Sequence, residues 1–229
     1  MDIQGLQKLT LLDYPGKVAC TVFLGGCDFR CPFCHNSELL EGPMPSETDS
    51  EGLLAFLGKR RGLLDGVCVT GGEPLLRPDL ATLLERIKSL GFLVKLDTNG
   101  SHPDRLRTIV ETGLADYVAM DVKNCPKRYA ETAGVPGLDL GPTRESIAFL
   151  LEGHVDYEFR TTVVKEFHDG DSFRAIGPWL AGAKRYFLQA FVDRDSVLSP
   201  GLSPCTAEEM EGFAGLVRPF IPSVELRGL

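Results

Sequence analysis

Short apolar segments alternate with amphipathic segments along most of the chain. Six of the apolar segments are rich in β-branched and aromatic residues and have the length of buried strands. They cover residues 18–24, 67–70, 92–96, 117–120, 157–164 and 186–188. Strands that are apolar without alternation are typical of a parallel sheet that is covered on both faces. The pattern therefore predicts six parallel strands.

Amphipathic segments with helical spacing separate these strands. In the region 80–90, apolar residues recur every three or four positions, so one face of a helix is buried. Further stripes of this kind occupy residues 106–110, 147–151 and 173–180. Thr206 and Glu209 form the pattern of a capping box ahead of a last helix. The Gly- and Pro-rich residues 134–142 predict a surface loop.

The order of strands and helices predicts the fold. Parallel strands that are joined by helices require right-handed crossovers. Six such units are too few for a closed eight-stranded barrel, so we predict an α/β fold with a partial (β/α)6 barrel. A doubly wound open sheet is the alternative. No internal repeat or linker interrupts the pattern, so residues 1–229 are predicted to form a single domain.

Composition narrows the class of protein. The 229 residues include 24 lysines and arginines against 32 aspartates and glutamates, and the net charge of −8 argues against nucleic-acid binding. No apolar run approaches the ~20 residues of a membrane helix, and the N-terminus lacks the apolar segment of a secretion signal. Seven cysteines are too sparse for a disulfide scaffold. We therefore predict a soluble, cytoplasmic protein without a membrane or nucleic-acid partner.

Three of the cysteines, Cys27, Cys31 and Cys34, lie in one short segment with the spacing C-x3-C-x2-C. A [4Fe–4S] cluster normally takes four thiolates, so three thiolates leave one iron open for a substrate. A catalytic cluster needs that open position, as a catalytic zinc site does. We therefore predict a cluster loop at residues 27–34. Zinc with His35 as fourth ligand is an alternative, although His35 directly follows Cys34 and the sequence has no second ligand group.

A second motif, Gly71-Gly72-Glu73-Pro74, directly follows the second predicted strand. Glycine lets the backbone approach a ligand closely, and Glu73 offers a carboxylate to a cationic amino group. Taken alone, the motif is also compatible with an ordinary turn between a strand and a helix. The open-iron cysteine motif that precedes it favours a ligand site.

Together these motifs resemble the radical S-adenosylmethionine (SAM) superfamily. Its pattern is C-x3-C-x2-C with an aromatic residue before the last cysteine, here Phe33, followed by G-G-E-P after a strand. The resemblance implies that SAM binds the open iron through its amino and carboxylate groups. It also implies that an electron from the cluster splits SAM into methionine and a 5′-deoxyadenosyl radical, which abstracts a hydrogen atom from the substrate.

The runs L-D-Y-P-G-K-V, F-L-G-G-C and C-H-N resemble the subgroup of glycyl-radical-enzyme activating enzymes, and the similarity spans nearly the whole chain. The subgroup often has D-G-P-G where this chain has Asp13-Tyr14-Pro15-Gly16, a difference that favours activators of anaerobic ribonucleoside-triphosphate reductase. The resemblance implies a glycyl radical enzyme as protein substrate and a flavodoxin- or ferredoxin-like electron donor. It implies one cluster, because the sequence lacks the ferredoxin-like insert of larger activating enzymes.

The resemblance also assigns cofactor contacts to individual residues. These are Phe33, Gly71, Gly72, Glu73, Asp97, Thr98, Asp121, Lys123, Arg160 and Gln189. Asp97 and Asp121 would lie near the cofactor, with a monovalent cation as a further candidate ligand. Arg160 would meet the carboxylate of SAM, because arginine pairs with carboxylates through two hydrogen bonds, and Gln189 would face the ribose. Most follow strand ends, where barrels carry their active sites.

Three other functions are compatible with the sequence. They are activation of a pyruvate formate-lyase-like enzyme, radical chemistry on a small molecule as in a deazapurine-forming synthase, and electron transfer by an iron–sulfur protein that is not an enzyme.

Cys20 and Cys68 are predicted to be core thiols, and Cys125 and Cys205 have no assigned role. His168 is predicted to be an exposed loop residue.

Overall fold

A sheet of eight strands runs through the computed structural model, which describes residues 1–40 and 45–229. In chain order the strands are β1 (Asp2–Ile3), β2 (Gly5–Thr10), β3 (Ala19–Leu24), β4 (Thr48–Asp49), β5 (Gly66–Gly71), β6 (Leu93–Thr98), β7 (Tyr117–Asp121), β8 (Asp156–Val163), β9 (Tyr186–Ala190) and β10 (Val224–Arg227). The large sheet has the order β10-β9-β8-β7-β6-β5-β3-β2, and β1 and β4 form a separate antiparallel pair.

The large sheet is parallel except at one edge, where β2 pairs antiparallel with β3. Because β2 and β10 are its two outermost strands, the barrel is open. All six predicted strands are present, and the α/β fold with a partial barrel is confirmed. The apolar pattern does not predict β2 or β10, because both are edge strands that carry exposed polar residues.

Helices follow most of the parallel strands. They are α1 (Ser50–Gly58), α2 (Leu80–Ser89), α3 (Pro103–Glu111), α4 (Tyr129–Ala133), α5 (Gly141–Leu151), α6 (Gly170–Trp179) and α7 (Ala207–Val217). The five predicted helices correspond to α2, α3, α5, α6 and α7, whereas α1 and α4 are not predicted. Among the described residues, no helix is long and apolar enough to cross a membrane.

The predicted loop at residues 134–142 is correct only as far as residue 140. The helix α5 begins at Gly141 and has Pro142 in its first turn, where the missing N–H of proline costs no hydrogen bond. The capping box before α7 is present, since the hydroxyl of Thr206 accepts from the N–H of Glu209 at 3.1 Å and the Glu209 carboxylate accepts from the N–H of Thr206 at 2.7 Å.

The strands place apolar and polar side chains on opposite faces. Val69, Leu96 and Val118 are register partners on β5, β6 and β7, and they belong to the apolar core that includes α2 and α3. Cys68 and Lys95 are also register partners, but they lie on the other face, inside the barrel. Buried polar groups are stable only when they are paired. The barrel interior therefore concentrates polar side chains that pair with one another.

Candidate functional site

Three cysteine side chains, Cys27, Cys31 and Cys34, line one cavity of about 170 Å³ at the carboxyl ends of the parallel strands. Eight further residues of the predicted site line the same cavity. They are Phe33, Gly71, Gly72, Asp97, Thr98, Asp121, Lys123 and Arg160. The fold thus brings the cluster loop together with the ends of four successive strands, β5 to β8.

Backbone contacts hold the cluster loop on two sides. The N–H of Arg30 donates to the carbonyl oxygen of Ala133 at the end of α4 (2.9 Å), and the N–H of Ser199 donates to the carbonyl oxygen of Pro32 (2.8 Å). Gly134 follows α4 with a φ of +67°, and a Cβ there would overlap the Arg30 carbonyl. Only glycine therefore allows α4 to end against the cluster loop.

All three cavity cysteines are free thiols, with Cys31 buried and the other two partly exposed. Burial raises the pKa of Cys27 to about 12 and that of Cys31 to about 11, so both thiols hold their protons at neutral pH. The N–H of Phe29 points at the Sγ of Cys27 at 3.4 Å, a contact that stabilises a thiolate. Iron binding has to displace these protons, because the thiolate is the ligand.

The arrangement of donors fits a four-iron cluster. Within residues 1–40 and 45–229, no three histidine, cysteine or acidic side chains converge on one point where a single ion could sit. A [4Fe–4S] cluster places each thiolate on a different iron, so its ligands need only line a common cavity. Cys20, Cys68, Cys125 and Cys205 lie outside the cavity lining. Three thiolates are thus available for four irons.

The two glycines of the G-G-E-P motif are required by neighbouring backbone. Gly71 has a φ of +120°, and a Cβ there would overlap the carbonyl oxygen of Leu24. A Cβ on Gly72 would overlap the carbonyl oxygen of Gly26. The N–H groups of Gly72 and Glu73 donate to these same two carbonyls, at 2.8 and 2.7 Å. The motif therefore clamps the end of β5 against the start of the cluster loop, in addition to lining the cavity.

Glu73 is fully buried and lies behind the cavity wall instead of in it. Its Oε1 accepts from the N–H of Leu75 and the hydroxyl of Thr98, both at 2.9 Å, and its Oε2 accepts from the N–H of Asn99 at 2.6 Å. Burial raises the pKa of Glu73 to about 7, against the effect of these donors. The carboxylate ties the G-G-E-P turn to the loop after β6, and its direct contact with a ligand stays a prediction.

A row of five charged side chains crosses the barrel interior beside the cavity. Its members, in order, are Lys95, Asp97, Arg160, Asp121 and Lys123. The Nζ of Lys95 pairs with Asp97. Arg160 links the two carboxylates, with its Nη2 at 3.0 Å from Asp97 and its Nε at 2.6 Å from Asp121. The Nζ of Lys123 lies 2.9 Å from Asp121 and closes the row.

All five groups of this row are ionised at neutral pH. Burial alone would raise the pKa of Asp121, but the charges of Arg160 and Lys123 hold that pKa well below its usual value. The pKa of Asp97 is lowered in the same way, against its burial, by Arg160 and Lys95. Three cations and two anions give a net charge of +1, which attracts an anionic ligand group. Each carboxylate already has two cationic partners, so this charge argues against the monovalent cation, which stays a prediction.

Lys95 is a site residue that the motifs do not single out. It lies in the apolar run 92–96, and its side chain is 1% exposed. Burying a lysine without a partner costs free energy. A lysine in the middle of a predicted buried strand therefore signals that it is paired with a buried acidic group. Its Nζ also lies 3.7 Å from the Sγ of Cys68. Cys20 and Cys68 are both confirmed as buried thiols within strands. Cys68 faces the polar interior of the barrel, where its Sγ lies 3.7 Å from Asp97.

Seven further residues line the cavity but are not among the assigned cofactor contacts, although the sequence predicts that His35 and Asn36 shape the cluster loop or the adenine pocket. The seven residues are Phe29, His35, Asn36, Leu40, Thr70, Asn99 and Thr162. Asn99 is the most informative of them, because its Nδ2 donates to the carboxylate of Asp28 at 2.8 Å and so braces the residue after Cys27. Asn99 directly follows Asp97 and Thr98 in the sequence, so its position beside two predicted contacts is the signal that could have found it.

Gln189 and His168 both lie outside the cavity lining. Gln189 on β9 is in register with Thr162 on β8, but only Thr162 lines the cavity, so a contact of Gln189 with a ribose stays a prediction. The prediction that His168 is exposed is wrong, since it is 3% exposed. The turn after β8 folds its ring towards Phe33 of the cluster loop, with 6.5 Å between ring centroids.

The comparison with protein families agrees with this geometry. The model of the radical SAM superfamily matches residues 21–171, a segment that contains the three cavity cysteines, the G-G-E-P motif and the whole charged row. The chain therefore belongs to the radical SAM superfamily. It is a radical SAM enzyme, and its family implies a [4Fe–4S] cluster and SAM as cofactors.

Sequence similarity to individual curated proteins is more specific than the match to the superfamily. A Methanocaldococcus jannaschii protein, provisionally named a glycyl-radical enzyme activating enzyme, is 31% identical over 202 residues, or 85% of this chain and 81% of that protein. The pyruvate formate-lyase-activating enzyme of Clostridium pasteurianum is 32% identical over 127 residues, 53% of this chain and 52% of that one. The 7-carboxy-7-deazaguanine synthase of Methanopyrus kandleri is 35% identical over 130 residues, 48% and 51% respectively. The last two matches span about half of those relatives. The likeness to activating enzymes is confirmed.

Solved structures share the fold. A domain of the pyruvate formate-lyase-activating enzyme from Bacteroides vulgatus has a TM-score of 0.59 at 17% identity, with 71% of this chain and 99% of that chain covered. Streptococcus suis SuiB bound to S-adenosylmethionine has a TM-score of 0.69 at 11% identity, with 91% and 52% covered. Identities this low show the fold alone.

Proposed function

We propose that this radical SAM enzyme is an activating enzyme that installs a glycyl radical in a partner protein. The observation that carries the proposal is the similarity to the Methanocaldococcus jannaschii protein, which extends over 85% of this chain and 81% of that one. The substrate is then a glycine Cα–H. The open side of the barrel, between β2 and β10, supports a substrate that enters as a loop of a large protein.

The cavity residues suit the binding of both cofactors. Cys27, Cys31 and Cys34 are proposed to ligate three irons of a [4Fe–4S] cluster. When bound, the cluster and SAM supply a 5′-deoxyadenosyl radical through reductive cleavage of SAM. The charged row binds the carboxylate of SAM, because its net charge is +1 and Lys123 and Arg160 both line the cavity.

The wall of the cavity orients the bound SAM. Phe33, Gly71, Gly72 and Thr98 are proposed to form the surface against which SAM packs. Glu73 keeps this surface in place from behind, through its hydrogen bonds to the loop after β6. A pre-formed wall lowers the cost of orienting a flexible ligand for reaction.

We propose anaerobic ribonucleoside-triphosphate reductase as the protein that is activated. The tetrapeptide Asp13-Tyr14-Pro15-Gly16, in place of D-G-P-G, supports this branch of the subgroup. A flavodoxin- or ferredoxin-like protein is proposed as electron donor. A pyruvate formate-lyase-like enzyme is the alternative partner, supported by the Clostridium pasteurianum relative.

A second candidate function is the synthesis of 7-carboxy-7-deazaguanine. Several curated relatives carry that name, and one from Synechocystis is 24% identical over 78% of this chain and 77% of its own length. The lower identity over a comparable length favours the activating enzyme. The two functions differ in their product, which is a radical in a protein in one case and a small molecule in the other.

The first test is SAM cleavage by the reconstituted protein. The wild type, Cys31→Ala and Cys205→Ser are loaded with iron and sulfide without oxygen, reduced with dithionite and given SAM. We expect 5′-deoxyadenosine and methionine from the wild type and from Cys205→Ser, since Cys205 lies outside the cavity lining. Cys31→Ala should lose turnover by more than a hundredfold. Equal cleavage by Cys31→Ala would show that the cluster ligands are assigned wrongly.

The second test identifies the substrate. The active protein is mixed separately with anaerobic ribonucleoside-triphosphate reductase and with pyruvate formate-lyase, and electron paramagnetic resonance is used to detect a glycyl radical. We expect the radical in the reductase. A radical in pyruvate formate-lyase alone would move the assignment to that branch. Formation of 7-carboxy-7-deazaguanine without any protein radical would establish the second candidate function.

Two further properties are part of the proposal. Residues 1–229 are proposed to form one radical SAM domain, which is supported by a sheet whose strands extend from Gly5 to Arg227. A cytoplasmic location is proposed because none of the seven cysteines forms a disulfide, as expected in a reducing compartment.

A further inference from the structure

A buried histidine lies directly behind the wall of the cavity. His168 belongs to the turn that follows β8, and its N–H donates to the carbonyl oxygen of Val164 at 2.9 Å. The turn directs the ring inwards, where it packs edge-on against Phe33 of the cluster loop and lies 6.0 Å from the ring of Phe173 on α6. The side chain is thus enclosed between the cluster loop, β8 and α6.

The hydrogen bonds of the ring define one neutral tautomer. Nε2 of His168 lies 2.9 Å from the carbonyl oxygen of Lys123, which only accepts, so Nε2 carries a proton. Nδ1 lies 3.1 Å from the backbone nitrogen and 3.2 Å from the carbonyl oxygen of Val164. Because a neutral ring carries one proton and that proton is on Nε2, Nδ1 accepts from the N–H of Val164. Burial lowers the pKa of His168 to about 4, and the ring is therefore neutral at physiological pH.

The carbonyl oxygen of Lys123 belongs to a segment in which three successive residues are held by β8 and the turn after it. The carbonyl oxygen of Val122 accepts from the hydroxyl of Thr161 at 2.6 Å. The side-chain amide of Asn124 donates to the carbonyl oxygen of Phe167 at 2.8 Å. The histidine supplies the middle contact, at Lys123. Three successive residues are thus fixed from residues 161–168, and the middle one carries the last cation of the charged row.

We propose that His168 is a positioning residue for the SAM site, which acts by donating from Nε2 to the backbone of Lys123 and by packing behind Phe33. The ring does not line the cavity, so it acts through these two residues, which do. Fixing the backbone of Lys123 fixes the point from which its ammonium group reaches Asp121 and the ligand. The inference rests on the proposed binding of SAM in this cavity, and it adds a residue that none of the motifs contains.

Two amide variants separate the hydrogen bond from the packing. Glutamine places its amide nitrogen near the position of imidazole Nε2, whereas asparagine places it near Nδ1. His168→Gln therefore keeps a donor to Lys123, and His168→Asn loses it. The measurements are equilibrium binding of SAM to the reconstituted protein, kcat and KM for SAM, and the melting temperature. His154→Gln is the control, because His154 is exposed and bonds only to Glu152 among the contacts found for its ring nitrogens.

We expect His168→Asn to raise the Kd and KM for SAM about tenfold, the size of one buried hydrogen bond, with kcat changed less than threefold. His168→Gln should bind SAM within threefold of the wild type, and His154→Gln should match the wild type. Equal Kd values for the asparagine and glutamine variants would overturn the proposal. If both are weakened equally, the ring acts through packing alone.

The tautomer is measured on the wild type, so the result does not depend on whether a variant folds. Nitrogen-15 nuclear magnetic resonance at pH 7 should show a neutral ring for His168 with its proton on Nε2. A charged ring, or a proton on Nδ1, would overturn the proposal. None of these measurements needs a partner protein. A wild type that behaves as expected here but activates no glycyl radical enzyme would contradict the proposed function alone.

Discussion

At the scale of the residue, a buried carboxylate shapes the site without lining it. Glu73 accepts three hydrogen bonds and holds the loop after β6 against the G-G-E-P turn. The motif predicts that this glutamate contacts a ligand, and the structure adds a second task that no spacing reveals. Loss of a ligand contact would weaken SAM binding, whereas loss of the three hydrogen bonds would lower the stability of the fold.

Glu73→Gln should destabilise the protein, because it turns an amide N–H towards donors that need an acceptor. We expect the free energy of unfolding to fall by about 1–3 kcal/mol and SAM binding to weaken. Urea denaturation and equilibrium binding measure the two effects. Glu38→Gln is the matched control, since Glu38 is exposed in the segment after the cluster loop and should change neither quantity. A Glu73→Gln variant of unchanged stability would show that the three hydrogen bonds contribute nothing.

His168 predicts a pH dependence of stability. Its pKa is lowered by burial from 6.5 to about 4, so between these values the unfolded chain binds a proton that the folded chain does not. The contribution of the neutral ring is complete above pH 6.5 and is lost as the pH falls towards 4. At about 1.4 kcal/mol per pH unit, the loss is about 3 kcal/mol.

The measurement is the free energy of unfolding in urea between pH 4 and 6.5. His168→Gln should show a weaker dependence on pH than the wild type, because glutamine has no proton to bind in this range. His154→Gln should keep the wild-type dependence, since His154 is half-exposed. Parallel curves for the wild type and His168→Gln would mean that the buried ring does not titrate as described.

At the scale of the element, the sequence pattern finds those helices and strands whose burial is regular. The five predicted helices have apolar stripes or a capping box, and the six predicted strands are buried parallel strands. The edge strands β2 and β10 and the five-residue helix α4 lack a repeating pattern, because too few of their side chains face the core. Their positions depend on the segments that they contact, which are β3 for β2, β9 for β10 and the cluster loop for α4.

The capping box of α7 gives a prediction at this scale. Thr206→Ala removes the hydroxyl that accepts from the N–H of Glu209, so we expect a loss of about 1 kcal/mol in the free energy of unfolding. Thr206→Ser keeps the hydroxyl and should lie close to the wild type. SAM cleavage should be unchanged in both, because no residue of α7 lines the cavity. Equal destabilisation by serine and alanine would assign the effect to the lost methyl group.

At the scale of the whole molecule, the fold sorts seven identical thiols into two groups. Three line the cavity, and the other four lie in strands or loops outside its lining. Alanine in place of Cys27, Cys31 or Cys34 should abolish assembly of the cluster. The reconstituted wild type should hold about four irons per chain, and Cys205→Ala should hold as many. Iron analysis and the visible absorption spectrum test this, and loss of iron from Cys205→Ala would point to a different ligand set.

The charged row is also a property of the whole molecule. Asp97, Asp121 and Lys123 are prominent in the sequence because they follow predicted strands, and Arg160 is prominent because it is a charge within a predicted strand. Their pairing across three strands, with Lys95 as the fifth member, depends on the register of β6, β7 and β8. A shift of one residue in any pair would turn a charge from the interior to the helix-covered face. The sequence could predict the members at the strand ends, but not the net charge of the paired row.

By itself, the sequence determined the class of this protein, its partial barrel and the loop that holds the three cysteines. Apolar periodicity, glycine-rich turns and ligand spacing are local, so each can be read from a few neighbouring residues. Only the tertiary structure decided that Glu73 lies behind the cavity wall, that Lys95 joins the charged row and that His168 is buried beneath Lys123. These roles arise where segments distant in the chain come into contact, and burial and charge pairing there depend on both partners.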